Sequence, residues 1–222
     1  MCTCPERQAH HNRSQSSLEL RTGLAQHYQS SQRHKFTPTP PKMISLYAIA
    51  IPSIINGLKN TIAVLTKATN QASAESIDLQ TYLSSRLHPT MADLPKQIYY
   101  ITDNAKTMPV RLNPSLTVLN LPEDPDTTFP AMFERLKKTI EYLESIKAED
   151  IDGREDEDVF MNVPGPGGAL QQLKFTPVQY LSIFVQPNFW FHVTTAYGIL
   201  RKEGVELTKL DYLNGAQLVK IE

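Results

Sequence analysis

Two side chains able to do chemistry lie one helical turn apart near the end of the chain, Asn188 and His192. Both belong to the series Leu181, Val185, Asn188, His192, Thr195 and Ile199, whose three- and four-residue steps put them on one face of a helix. A buried amide or imidazole left without a partner costs about 1–3 kcal/mol, so something polar must meet them. Protein, water or a metal can do so, and an imidazole placed there can also act as a general base. Tyr197 and Arg201 follow on the same segment. They can orient an anionic ligand, or cap the helix and pack against the C-terminal residues. His88 is the one other histidine after residue 42, and Pro89 holds it on a turn rather than on a helix face.

The element that must position Asn188 and His192 spans residues 176–204, read as one helix. Thr176 can cap its first turn, Pro177 loses nothing at the first helical position, and Gly204 is the matching stop. Phe184, Phe189, Trp190, Phe191 and Val193 spread apolar surface round most of the circumference, which predicts a central helix buried on several sides. Pro187 removes the hydrogen bond to the Ile183 carbonyl and predicts a kink there. In the structural alternative to a ligand site, Asn188, His192, that carbonyl and a trapped water satisfy one another.

The scaffold around it reads as further amphipathic helices. Tyr47, Ile51, Ile54, Ile55, Leu58, Ile62 and Leu65 form a stripe over residues 45–69, with Asn56, Asn60 and Lys67 off it. Residues 70–90 are polar, with a short apolar pattern at Leu79, Tyr82, Leu83 and Leu87. Met91, Leu94, Ile98, Ile101, Ala105, Met108 and Leu112 mark a second helix, with Asp103 opposite its stripe. A third starts at Thr127-Thr128 and runs through Phe129, Met132, Phe133, Leu136, Ile140 and Leu143. Its charged face, Glu134, Lys137, Lys138 and Glu141, is a solvated one. Residues 159–163 and 170–175 flank Pro164-Gly165-Pro166-Gly167-Gly168 as a β-hairpin. That glycine run lacks the Gly-Lys-Ser/Thr ending of a phosphate loop. Residues 205–213 should pack across the end of the helices.

Composition changes near residue 42. Residues 1–42 hold six basic and two acidic residues, a net +4, which leaves the remainder at −5 of the chain's overall −1. This segment lacks an apolar run able to form a core and reads as a disordered basic tail, 1–42, ahead of a domain at 43–222. Mitochondrial import through the tail, or a gene-model extension ahead of Met43, are the minority readings beside a cytoplasmic domain. Cys2 and Cys4 are the only cysteines, which excludes a disulfide framework or a thiol site within the domain. An acidic domain whose aromatics cluster on an apolar helix excludes a specific nucleic-acid partner. The absence of about 18 uninterrupted apolar residues argues against a membrane span.

Several strings are familiar: Ile44-Ser45-Leu46-Tyr47, Gly57-Leu58-Lys59-Asn60, Asp103-Asn104-Ala105-Lys106, the run from Pro187-Asn188-Phe189-Trp190-Phe191-His192 on to Tyr197, and Leu200-Arg201-Lys202-Glu203-Gly204-Val205. Together they resemble a domain-of-unknown-function family grouped with the DinB/YfiT-like metalloenzymes, over nearly all of residues 43–213. The resemblance implies an all-α fold, a DinB-like four-helix bundle with a small β-hairpin before the last long helix. It also implies a divalent metal, zinc, nickel, manganese or iron, held by three histidines, two of them four residues apart on a late helix. Here His192 matches one late position, while Asn188 and Ala196 stand four residues either side of it. His88 and Asp103 are the candidates to complete a set with His192, since zinc accepts two histidines and a carboxylate.

Two readings follow. In the first, the domain is a small-molecule-binding or dimerising module, with Asn188, His192, Tyr197 and Arg201 around a degenerate metal site and a homodimer through one helical face. In the second, it is a divalent-metal-dependent enzyme of the thiol-dependent transferase or hydrolase type, acting on a small organic substrate with His192 as the catalytic candidate.

Overall fold

A computed structural model describes residues 45–123 and 127–220, so the basic tail expected at 1–42 lies outside the described residues. The chain is mostly helical, with one small antiparallel sheet. In order, α1 (Leu46–Glu75), α2 (Leu79–Ser84), α3 (Leu94–Leu112), α4 (Phe129–Ser145) and α5 (Ala148–Ile151) precede β1 (Val159–Pro164) and β2 (Leu170–Phe175). Then α6 (Pro177–Gln179), a π-helical turn (Tyr180–Val185) and α7 (Gln186–Lys202) follow without a break, and α8 (Lys209–Asn214) ends the domain.

The helix starts obey local chemistry. Ser45 caps α1 by accepting from the Ala48 N–H at 3.0 Å, and its hydroxyl donates to Asp152, which also accepts from the Tyr47 N–H at 2.9 Å. Thr176 and Gln179 form a reciprocal capping box, with Pro177 just inside it. At the other end Gly204 takes φ +83°, the Val205 N–H bonds the Leu200 carbonyl and the Gly204 N–H bonds that of Arg201. That is the Schellman closure a glycine allows.

The apolar faces of α1, α3, α4 and α7 meet in one core, α1 against α4 and α7, and α3 against the same two helices. The hairpin pairs Val159 with Phe175 through to Pro164 with Leu170, and its inward residues Val159 and Met161 close the core beside α3. Gly57 makes room on α1 for the rings of α7: a methyl there would sit 2.5 Å from the Phe189 ring and 3.0 Å from Trp190. By length and composition α1 is apolar enough to cross a membrane, yet half of its most apolar window is buried inside the domain.

Three expectations need correcting. The helix over 176–204 is not uniform: before Pro187 it widens into the π turn, where the Gln186 N–H bonds the Leu181 carbonyl five residues back. A wider turn accommodates a residue that lacks an N–H. Phe191, counted with the apolar surface expected to be buried, is 54% exposed, on an outer face that also leaves Ile183 64% exposed. Asn60, expected off the α1 stripe, is buried, because α8 folds over that side of α1.

Candidate functional site

His192 is half-buried on α7 where it faces α3. Its Nδ1 lies 2.8 Å from Oε1 of Gln97, a residue only 2% exposed on α3. The Gln97 amide nitrogen donates to the Ala92 carbonyl at 3.0 Å, which fixes the amide's orientation. The oxygen therefore points at His192 and must accept, so Nδ1 carries the proton and Nε2 keeps its lone pair. Nε2 accepts no hydrogen bond from a described residue. Tyr100 lies over the ring at 4.8 Å and the Phe191 ring meets its edge at 5.2 Å.

Burial lowers the His192 pKa, because a low-dielectric surrounding disfavours the imidazolium. The imidazole is thus neutral, held in one tautomer, with a basic nitrogen free. The unfolded chain takes up its proton near the ordinary histidine value, about 6.5, before the folded one does. The stability tied to neutral His192 is therefore complete above that pH and is lost as pH falls through the folded value. The urea midpoint should drop between pH 7.5 and 5.5, and drop less in His192→Gln; parallel profiles for the two proteins would contradict this.

The structure separates the other candidates. Asn188 sits half-buried one turn before His192, and no hydrogen bond joins the two. His88 lies on the exposed loop before α3, its Nδ1 accepting from the Thr90 N–H, in a shallow cleft shared with Lys202. That loop rests against Gly198 through Leu87. Gly198 and Lys202 are about 9 and 15 Å beyond His192 along α7 at 1.5 Å per residue. Asp103 pairs with Lys106 at 3.4 Å. The Tyr197 hydroxyl reaches the Leu207 carbonyl at 3.5 Å, and its ring meets Tyr212. Arg201 donates to the Val205 carbonyl at 2.7 Å, the capping role of the two its position left open.

Among the described residues no three His, Cys, Asp or Glu side chains come together as a metal-holding group. Around His192 the partner is an amide, and Asn188 and Ala196 hold the positions one turn away. This donor set does not fit a three-ligand divalent metal.

Two polar groups were missed by sequence reasoning. Gln97 stands three residues after Leu94 and four before Ile101, inside the apolar stripe of α3, the same signal that marked Asn188 and His192. Gln186 ties α7 to α1: its amide donates to the Ile49 carbonyl and the Ser53 hydroxyl and accepts from the Trp190 indole at 2.8 Å.

A family model described as "Domain of unknown function (DUF1993)" matches residues 46–213. The crystal structure of a DinB family member protein from Shewanella denitrificans is similar at 31% identity and a TM-score of 0.65, covering 76% of this chain and 91% of that one. No curated protein matches the chain.

Proposed function

The chain belongs to the DUF1993 family, related to the DinB-like superfamily, and from that premise we propose that it is a small-molecule-binding domain whose polar contact is Nε2 of His192. On this reading α1, α3, α4 and α7 are the DinB-like four-helix bundle, and α3 and α7 carry the site. The observation that carries the proposal is the His192–Gln97 pair. It leaves Nε2 as an acceptor of fixed direction beside the Tyr100 and Phe191 rings, which are 37% and 54% exposed. The ligand that fits is a compact apolar or aromatic molecule with one O–H or N–H donor. Asn188, one turn away, supplies a second polar contact.

The test is a titration with p-cresol followed by the NMR signals of the His192 ring and the Gln97 side chain. Saturable shifts at both, lost in a folded His192→Phe variant, are expected. Shifts that avoid His192, or that persist in the variant, would overturn the proposal. A second reading is favoured by the exposed Ile183 and Phe191, with Pro187 between them: self-association of two copies through this strip. A monomer in sedimentation at high concentration would exclude it.

A further inference from the structure

α8 has six residues, none of them buried, and turns Leu210 and Leu213 outward at 53% and 59% exposure. A helix this short has no stability of its own. Polar latches hold it. Asn60 on α1, 6% exposed, donates its amide N–H to the Leu213 carbonyl at 3.0 Å and accepts from the Ala216 N–H at 3.0 Å. Lys67 reaches both carboxylate oxygens of Asp211 at 3.0 Å, and the Thr194 and Tyr212 hydroxyls meet at 3.0 Å. Beneath Tyr212 lies a cavity of about 10 Å³ whose lining includes Asn60, Val64, Val193, Ala196 and Tyr197. It is an apolar floor between α1 and α7 with one buried amide on its wall.

We propose that this is a second small-molecule site, closed by α8 as a lid, and that its ligand is a compact carboxamide with an apolar body. Asn60 specifies the class. With α8 down, its amide satisfies one carbonyl acceptor and one N–H donor, the pair that a primary carboxamide presents side by side. With α8 lifted, that amide exchanges both protein partners for water, and a ligand amide carrying an apolar body takes the place of α8 on it. Val64, Val193 and Ala196 then receive the apolar body. The closed cavity has room for about one water, so binding requires lid displacement. Affinity is accordingly coupled to the strength of the latches, because a ligand that binds only the open form is weakened by the fraction that is closed. The site lies between α7 and α1, whereas His192 faces α3, so the two sites stand or fall separately.

The probe is benzamide, titrated into the full chain and followed by the NMR signals of the Asn60 side-chain amide and the Val64 and Ala196 backbone. Saturable shifts at Asn60 are expected in the wild type. Lys67→Ala loosens the lid without touching the cavity lining and should tighten benzamide about threefold, the scale of one exposed ion pair. Asn60→Leu keeps the volume and should lose benzamide binding, with folding checked by circular dichroism. Absence of shifts at Asn60 in both wild type and Lys67→Ala would overturn the site, as would a folded Asn60→Leu that binds benzamide unchanged. Equal affinity in wild type and Lys67→Ala would overturn the lid, and this comparison decides even where Asn60→Leu does not fold.

Discussion

Phe189→Ala is expected to lower the free energy of unfolding by about 3–5 kcal/mol, the range for truncating a fully buried aromatic. Phe189 has no exposed surface, and its ring fills the space that Gly57 leaves open on α1. The neighbouring Trp190 ring meets it edge-on at 5.1 Å and is fixed in turn by its hydrogen bond to Gln186. Gly57 has no side chain with which to close the void, and the Trp190 ring, 3.0 Å from where a methyl on Gly57 would lie, stands in the way of a closer approach of α1. The site would thus collapse poorly, which puts the cost toward the upper end. Urea denaturation checks it: the midpoint should fall with little change in slope. A loss under 1 kcal/mol would show that the α1–α7 contact does not depend on this ring.

Arg135→Ala is expected to cost about 2–4 kcal/mol, from lost hydrogen bonds to a charged group together with the cavity left behind. Arg135 is only 3% exposed on α4. Its guanidinium donates to the Pro122 carbonyl at 2.6 Å and to the Thr102 hydroxyl at 3.4 Å, and lies 5.4 Å from the Tyr99 ring centre. Removal leaves the Pro122 carbonyl, on an exposed residue, to water, so that the loop loses its anchor, and frees Tyr99. Tyr99 packs edge-on against Tyr100, the residue that lies over His192, so the His192 signals should shift as well. Denaturation of the variant beside its His192 spectrum measures both effects. A neutral outcome for stability would mean that the loop before α4 holds without this anchor.

How far the sequence could be read depended on whether a feature is local. Thr176, Pro177 and Gly204 announce the ends of the last long helical segment through contacts within a few residues, and the structure has them in those roles. The β-hairpin was equally legible, because turn residues and strand residues alternate over one short stretch. The π turn was not, since Pro187 signals a lost hydrogen bond without saying how the backbone accommodates it.

For the site, the polar residues inside apolar stripes were visible, but their pairing was not. His192 and Gln97 are 95 residues apart, and no local rule joins them. The burial of Asn60 depends on α8, which returns from more than 150 residues away to cover one side of α1. The exposed Phe191 shows the opposite limit. An aromatic run on a helix gives apolar surface in all directions, and only the packing decides which ring is left outside.

The central claim is that burial keeps His192 neutral and Gln97 fixes its tautomer, with the proton on Nδ1 and Nε2 bare. Long-range proton–nitrogen NMR on histidine-labelled protein at pH 7.5 tests it most directly. The predicted result is a pyridine-like shift at Nε2 and a pyrrole-like shift at Nδ1 for His192, giving way to averaged shifts in Gln97→Leu. A proton on Nε2, or an imidazolium at that pH, would contradict the account.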